Sequence, residues 1–307
     1  MKSVLYFTQP RWAFAQIHHG LVKRMWDYGI YSHLLDWTLT YTVDEMQMLG
    51  DKYDLFLTTP EAVRILNMGK IPTNRMIAVA HCERDIAIAI HEGGKDFFND
   101  LYAYAGVNQD LVEVSKRMGV TREMQVVRIG IDGQHYKAEP ATHLNKVGYA
   151  GAMEAWLSHG PEIKRGRLFT RICDELGLEK VFHNNHHHLC MAGFYKKCDA
   201  VLVTSSSETV GLPILEAAAS GRLVISAQVG YANGKQGILC RMDDEDYMTD
   251  AKSALLFYRN NPIAYREACH AYQDYVLRNH DWSQCIKDWV NLVNPHNSLT
   301  TLGRVPF

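Results

Sequence analysis

The chain has 307 residues, which is too long for one ordinary doubly wound sheet and suits two domains of roughly 150 residues each. Apolar residues make up 47% and charged residues 21%, a composition that excludes a disordered chain and a membrane-embedded one. The net charge of -2 disfavours a protein whose main task is to bind a nucleic acid backbone.

The seven cysteines are dispersed and never spaced as CxxC, which is typical of a protein in a reducing cytoplasm. The first apolar run ends at Thr8, and no stretch approaches the roughly 18 consecutive apolar residues of a transmembrane helix. We therefore expect a cytoplasmic protein without a signal peptide or a transmembrane segment.

Short apolar runs alternate with helical patterns through the first half of the chain, as in a parallel sheet with crossover helices. Apolar residues from Phe14 to Tyr28 recur at helical spacing, and Gly29 suits the end of that helix. The predicted strands are Val4 to Thr8, Ser32 to Trp37, Tyr53 to Thr58, Met76 to His81, Tyr102 to Val107 and Gln125 to Ile129.

Turn residues between Gly130 and Thr142 interrupt the periodicity, so we predict an N-terminal domain at residues 1–142, a C-terminal domain at 143–294 and a tail at 295–307. A new strand begins at Lys146 and ends in small residues at Gly151, where we expect contact with a nucleotide ligand. The last helix, Trp282 to Leu292, is expected to pack back on the N-terminal domain. The other predicted elements are helix Gly166 to Leu176, strand Val181 to Phe182, helix Met191 to Lys197, strand Ala200 to Thr204, helix Leu212 to Ser220 and strand Leu223 to Ser226.

The segment from Ser205 to Gly221 carries the strongest chemical pattern. A buried strand leads into a serine-rich loop, and Pro213 stands in the first helical turn, where proline is tolerated. The N-terminal amides of this helix supply about half a positive charge and unpaired N–H donors at the carboxyl end of the sheet. This pattern predicts a diphosphate site, with the following residues around it: Thr209, Val210, Gly211 and Leu212.

Two carboxylates accompany the predicted diphosphate site. Glu208 lies just before the helix and Glu216 about one turn inside it. Carboxylates do not bind phosphate, but they accept hydrogen bonds from the hydroxyls of a sugar or a ribose. The pattern therefore indicates a ligand with an anionic middle and hydroxylated ends, as in a sugar nucleotide.

The run Ser-x-x-Glu-x-x-Gly-Leu-Pro-x-Leu-Glu-Ala-x-Ala-x-Gly, with seven residues between the glutamates, resembles the signature of family 4 retaining glycosyltransferases. Further segments resemble the family in the same order: Phe194 to Ala200, Arg128 to Asp132, and His280 to Trp282. The resemblance is concentrated between Val147 and Leu292. It implies the GT-B fold: an α/β chain with two Rossmann-like, doubly wound domains facing a cleft.

The resemblance also implies roles for particular residues. Glu208 would contact the donor sugar, Glu216 the ribose, and His81 would lie near the donor sugar. Arg165, with Lys164 or Arg167 beside it, would bind the diphosphate. The glycine pair that the family carries after the first strand is absent here, replaced by the segment from Thr8 to Phe14.

The reaction that the resemblance implies is transfer of a sugar from a nucleoside-diphosphate sugar to an acceptor hydroxyl, with retention at the anomeric carbon. No metal or other cofactor is expected, because helix amides and basic side chains stabilise the departing diphosphate. The expected acceptor is a glycan, a lipid-linked sugar, a small molecule or a nucleic acid base.

Three of these assignments have a structural alternative. The basic cluster from Lys164 to Arg167 also suits a solvated helix start, and His81 a hydrogen-bonded strand end. The histidines of residues 183–188 invite a metal site, but adjacent histidines in one loop do not converge on one ion. We favour a polar loop near the nucleotide base, with His183 as the contact.

Three other functions compete with the glycosyltransferase. A retaining glycosidase needs two carboxylates about 5 Å apart across a scissile bond, and hydrolysis without nucleotide would reveal it. A nucleotide-sugar-binding module would show no turnover. A phage-type enzyme that glycosylates nucleic acid bases would need a basic groove, and the basic residues of the N-terminal half are dispersed.

Overall fold

The computed structural model describes residues 2–8, 12–37, 39–151, 161–183 and 188–295. By their contacts, the residues form two compact units. Unit 1 consists of Met1–Gly130 with Trp282–Phe307, and unit 2 of Ile131–Asp281. Each unit is built around one parallel β-sheet.

Unit 1 has six strands in the order β2-β1-β3-β4-β5-β6. These strands are β1 (Lys2–Thr8), β2 (Ile30–Asp36), β3 (Leu55–Thr58), β4 (Met76–Ala80), β5 (Ala103–Gly106) and β6 (Gln125–Val126). The helices between them are α1 (Trp12–Met25), α2 (Val43–Lys52), α3 (Val63–Met68), α4 (Glu83–Gly93) and α5 (Gln109–Arg117). All residues of the central strand β4 are buried, as expected for a parallel strand covered on both faces.

The six predicted strands of unit 1 are all present, with shifted ends. The third strand begins at Leu55 because Tyr53 caps α2, with its amide donating to the Leu49 carbonyl at 3.1 Å. The predicted helix end at Gly29 is observed with φ of 68°, a left-handed conformation that favours glycine. A short 3₁₀ turn, Trp26–Tyr28, joins α1 to this glycine.

Unit 2 has five strands in the order β11-β10-β9-β7-β8. These strands are β7 (Lys146–Tyr149), β8 (Glu179–Phe182), β9 (Ala200–Val203), β10 (Leu223–Ala227) and β11 (Ile238–Cys240). The helices are α6 (Gly133–Tyr136), α7 (Pro161–Lys164), α8 (Gly166–Leu176), α9 (Met191–Tyr195), α10 (Leu212–Ala219), α11 (Asp244–Asn260) and α12 (Pro262–Asn279). The edge strand β11 was not predicted, because three residues are too few for a period-two pattern.

The division after Gly130 lies ahead of the predicted boundary at residue 142. The intervening segment packs on unit 2: the Ala141 amide donates to the Gly221 carbonyl at 3.0 Å, and Gln273 Nε2 donates to the Ala138 carbonyl at 2.7 Å. Gly221 has φ of 68°, and a Cβ atom there would approach the Pro140 Cα to 2.7 Å. These contacts are between residues distant in sequence, so turn composition alone did not reveal them.

The last helix, α13 (Trp282–Val293), returns the chain to unit 1. Arg128 makes a two-pronged ion pair with Asp288, with N–O distances of 2.7 and 3.1 Å. Trp289 Nε1 donates to the Arg128 carbonyl at 2.8 Å, and Trp282 is buried. The tail predicted at 295–307 lies outside the described residues except for residue 295.

Candidate functional site

The sheet of unit 2 has a topological switch point between β7 and β9. These strands are neighbours, but the chain leaves β7 toward β8 and leaves β9 toward β10, on the opposite side. Right-handed crossovers then place the two following helices on opposite faces of the sheet. The loops that follow β7 and β9 diverge, and ligands of such sheets bind in the crevice at these carboxyl ends.

Hydrogen bonds join the end of α7, which follows β7 in the chain, to the segment just after β9. Thr204 Oγ1, just after β9, donates to the Lys164 carbonyl at 2.7 Å. The Ser206 amide donates to the Ile163 carbonyl, also at 2.7 Å. The end of α7 therefore lies against the start of the serine-rich loop.

Lys164 and Glu208, both predicted site residues, form an ion pair across these loops. Ser205 Oγ donates to the same carboxylate oxygen, Glu208 Oε1, at 2.7 Å. The lysine side chain is 31% exposed and the glutamate 20%, so the pair is reachable by a ligand. The role of Ser205 was not assigned from the sequence, although its place in the serine run was the signal.

Helix α10 begins as the sequence predicts. Gly211 is its N-cap with φ of 69° and ψ of 57°, and Pro213 stands in the first turn. No side chain of the described residues caps this end. Pro213 has no N–H and the Ile214 amide donates to the Gly211 carbonyl at 2.8 Å, which leaves the amides of Gly211 and Leu212 as the donors at the helix start. Val210 is buried, Thr209 is half-buried, and the Tyr231 amide holds the loop by donating to the Val210 carbonyl at 2.9 Å.

Arg165 does not face the crevice as expected; it is 4% exposed, inside unit 2. Its Nε donates to the Thr204 carbonyl at 2.5 Å, and Nη2 to the Ser205 carbonyl at 3.4 Å. Nη1 donates to the Met242 carbonyl and pairs with Asp244 at 3.0 Å. The guanidinium therefore holds the base of the serine loop, and its contact with a diphosphate stays a prediction.

Lys164 and Arg167 lie on either side of Arg165 in the predicted basic cluster. Arg165 itself has φ of 45°, in the left-handed region that residues other than glycine rarely adopt. Arg167 pairs with the other oxygen of Asp244 at 2.5 Å and is 63% exposed. Of the predicted basic cluster, Lys164 is the member that meets a predicted site residue.

Glu216 is enclosed rather than open, with 2% exposure. Its Oε1 accepts a hydrogen bond from the Tyr136 hydroxyl and its Oε2 from the Tyr195 hydroxyl, both at 2.8 Å. Burial, together with this carboxylate, raises the pKa of Tyr195 well above its usual value, so the phenol stays protonated as a donor. This arrangement gives Glu216 a structural role inside unit 2, and its contact with a ribose stays a prediction.

We expect Glu216→Ala to lower the free energy of unfolding by about 3 kcal/mol, because it leaves two buried hydroxyls without an acceptor and creates a cavity. Glu216→Gln keeps one acceptor oxygen and should cost about 1 kcal/mol. Urea unfolding of both variants measures this, with Glu179→Ala on an exposed glutamate as control. Normal stability of Glu216→Ala with weakened nucleoside binding would restore the ribose assignment.

The remaining residues predicted in unit 2 lie at the ends of β7 and β8. His183 is 7% exposed; its amide donates to the Tyr149 carbonyl at 3.2 Å and its ring packs on Phe194 at 5.3 Å. Gly151 is half-buried, and a Cβ atom there would collide with the ring of Tyr149. The histidines of residues 184–187 lie outside the described residues, so contact of this loop with a nucleotide base stays a prediction.

His81 belongs to unit 1, directly after β4, and is buried. Its amide donates to Asp85 Oδ2 at 2.6 Å, which fixes the start of α4. Its ring stands edge-on to His18 at 6.1 Å between centroids, and His18 contacts Thr8 Oγ1. Burial lowers the pKa of His81 to about 4 and that of His18 to about 3, so both rings are neutral at pH 7.

Two further observations concern the described part of the chain. No three side chains of histidine, cysteine, aspartate or glutamate come together there as a metal site. No helix in the same residues is both long and apolar enough to cross a bilayer. Metal independence remains a prediction, since the first observation concerns geometry and not activity.

Comparison with known proteins adds a family match over part of the chain and the fold. Residues 141–257 match the family described as glycosyl transferases group 1. A D-inositol 3-phosphate glycosyltransferase of Corynebacterium urealyticum is 27% identical over 150 residues, which are 47% of this chain and 34% of that protein. The match therefore spans about a third of the relative's length.

The fold is shared with solved structures over 96% of the chain. Anabaena HepE in complex with UDP-glucose superposes with a TM-score of 0.72 and 13% identity, covering 100% of that chain. Sucrose-phosphate synthase from Thermosynechococcus elongatus gives 0.71 and 14%, covering 99%. The chain thus has the GT-B fold of two Rossmann-like units, and residues 141–257 of unit 2 match the group 1 glycosyl transferases.

Proposed function

We propose that this chain is a glycosyltransferase that moves a sugar from a nucleoside-diphosphate sugar to an acceptor hydroxyl, with retention at the anomeric carbon. The observation that carries the proposal is the grouping at the unit 2 switch point. There Lys164, Glu208 and the uncapped start of α10 lie on adjoining loops, within the segment that matches the glycosyl transferases.

Each part of this grouping suits one part of the donor. The ammonium of Lys164 and the amides of Gly211 and Leu212 at the start of α10 supply positive charge for a diphosphate. The Glu208 carboxylate accepts hydrogen bonds from sugar hydroxyls. These groups stabilise a departing nucleoside diphosphate in the transition state, which is how such a site would accelerate sugar transfer. Retention is supported by the resemblance of the signature around Glu208 and Glu216 to retaining enzymes.

Arg165 has a different part in this proposal from the one expected. Because it binds the carbonyls of Thr204 and Ser205, it fixes the loop that carries Glu208. It is a positioning residue, whereas Lys164 is the proposed phosphate contact. Loss of Arg165 should therefore affect stability, and loss of Lys164 should affect diphosphate affinity.

A donor screen tests the proposed function. Calorimetry with UDP-, GDP-, ADP- and TDP-sugars identifies the nucleotide, and UDP-glucose is the first to test because the similar HepE structure contains it. Turnover is then measured with glycan, lipid-linked, small-molecule and nucleic acid acceptors, and NMR gives the anomeric configuration of the product. Hydrolysis of simple glycosides without nucleotide, or donor binding without any turnover, would contradict the proposal.

We expect turnover to be unaffected by EDTA, because Lys164 and the start of α10 provide the cationic groups that a metal ion would otherwise supply. The measurement compares initial rates after dialysis against EDTA with rates after addition of Mn²⁺ or Mg²⁺. Loss of turnover on chelation that is restored by either ion would show that the site uses a metal.

A further inference from the structure

The ion pair between Lys164 and Glu208 occupies the two groups that the donor would need. Both the lysine ammonium and the Ser205 hydroxyl are directed at one oxygen, Glu208 Oε1. Among the described residues, no donor contacts the other oxygen, Oε2. Without a ligand, therefore, the carboxylate neutralises the cation that would meet a diphosphate.

We propose that donor binding exchanges this ion pair, and that the exchange makes the site favour the intact donor over the spent nucleoside diphosphate. This inference rests on the proposed function. The diphosphate takes Lys164 from Glu208, and the hydroxyls of the sugar then donate to the carboxylate in place of the ammonium. A nucleoside diphosphate also takes Lys164, but it brings no sugar to compensate Glu208.

The chemistry of the groups supports this exchange. An ammonium is a compact charge on a flexible stem, so Lys164 can turn from a carboxylate to a phosphate without backbone movement. Ser205 keeps its hydrogen bond to Glu208 during the exchange and holds the carboxylate in place. Because the pair is partly exposed, its rupture has a modest cost, which allows both binding and product release.

Calorimetry of four proteins with UDP and with UDP-glucose tests the inference. If the donor screen identifies another nucleotide, its diphosphate and its sugar conjugate replace these two ligands. The four proteins are the wild type, Glu208→Gln, Lys164→Gln and the double variant. Glu208→Gln should tighten binding of UDP about fivefold, because Lys164 is released from its competitor. The preference for UDP-glucose over UDP should fall by at least the same factor. In the Lys164→Gln background, Glu208→Gln should leave UDP affinity unchanged.

The control is Glu175→Gln, which removes a carboxylate of the same unit that pairs with Lys252 at 2.7 Å. Glu175 lies roughly 13 Å along α8 from the site, so its replacement should change the affinity for neither UDP nor UDP-glucose. Equal tightening of UDP by Glu208→Gln in both backgrounds would indicate simple repulsion and overturn the exchange. Weaker UDP binding in Glu208→Gln would also overturn it. If the wild type binds no nucleoside diphosphate or donor, the proposed function itself fails.

Discussion

Replacement of Glu208 by alanine should lower kcat about 100-fold with a much smaller change in KM. The carboxylate is proposed to hold hydroxyls of the migrating sugar, whose ring flattens as the bond to the diphosphate breaks. Loss of a contact that strengthens in the transition state lowers kcat, whereas loss of a contact that is equally strong in the ground state raises KM. Removing one such preorganised group typically costs about 100-fold or more.

Steady-state kinetics with a saturating donor measures this effect, alongside calorimetry with the bare nucleoside diphosphate. Glu175→Ala, which removes an exposed glutamate of the same unit, should behave as the wild type. The affinity for the nucleoside diphosphate should not fall in Glu208→Ala, since the lysine beside it remains. An unchanged kcat would show that Glu208 does not contact the migrating sugar, and it would contradict the proposed function.

Replacement of Arg165 by alanine should lower the free energy of unfolding by about 3 kcal/mol, because it leaves buried carbonyls without a donor and a cavity inside unit 2. The change would leave the carbonyls of Thr204 and Ser205 and the carboxylate of Asp244 without the guanidinium. Arg165→Lys should also destabilise, because one ammonium cannot reach all of these oxygens in the planar arrangement.

The matched control for this prediction is Arg167→Ala. Arg167 pairs with the same aspartate but is 63% exposed, so its loss should cost less than about 1 kcal/mol. Urea unfolding of the three variants gives the comparison. If Arg165→Ala is as stable as Arg167→Ala and instead loses affinity for nucleoside diphosphates, the guanidinium binds phosphate as the resemblance implied.

Much of the fold is encoded locally and could be read from the sequence. Buried parallel strands are continuous apolar runs, and this is why β4 and β9 were located from the sequence to within a residue. The start of α10 was predicted because Gly211 and Pro213 have backbone preferences that few other residues share. Helix α8 was predicted with the bounds that the structure has.

The site itself was only partly predictable. The sequence analysis placed Glu208 and Lys164 near helix starts. It favoured Arg165 over Lys164 as the diphosphate contact, and it expected Glu216 to be accessible to a ribose. Tertiary contacts decide both questions: Arg165 binds Met242 and Asp244, and Glu216 binds Tyr136, all far away in the chain. Lys164 and Arg165 are adjacent and carry the same charge, yet the side chain of Lys164 is 31% exposed and that of Arg165 is 4% exposed.

The sequence by itself therefore determined the α/β architecture, the glycine-initiated helix and the residue types suited to a sugar nucleotide, because these depend on periodicity and on local backbone preference. Only the tertiary structure decided which cation meets Glu208 and which carboxylate is enclosed by tyrosines. Burial and hydrogen bonding depend on partners brought together by the sheet order. Such partners are set by packing between distant segments, and no short stretch of sequence contains them.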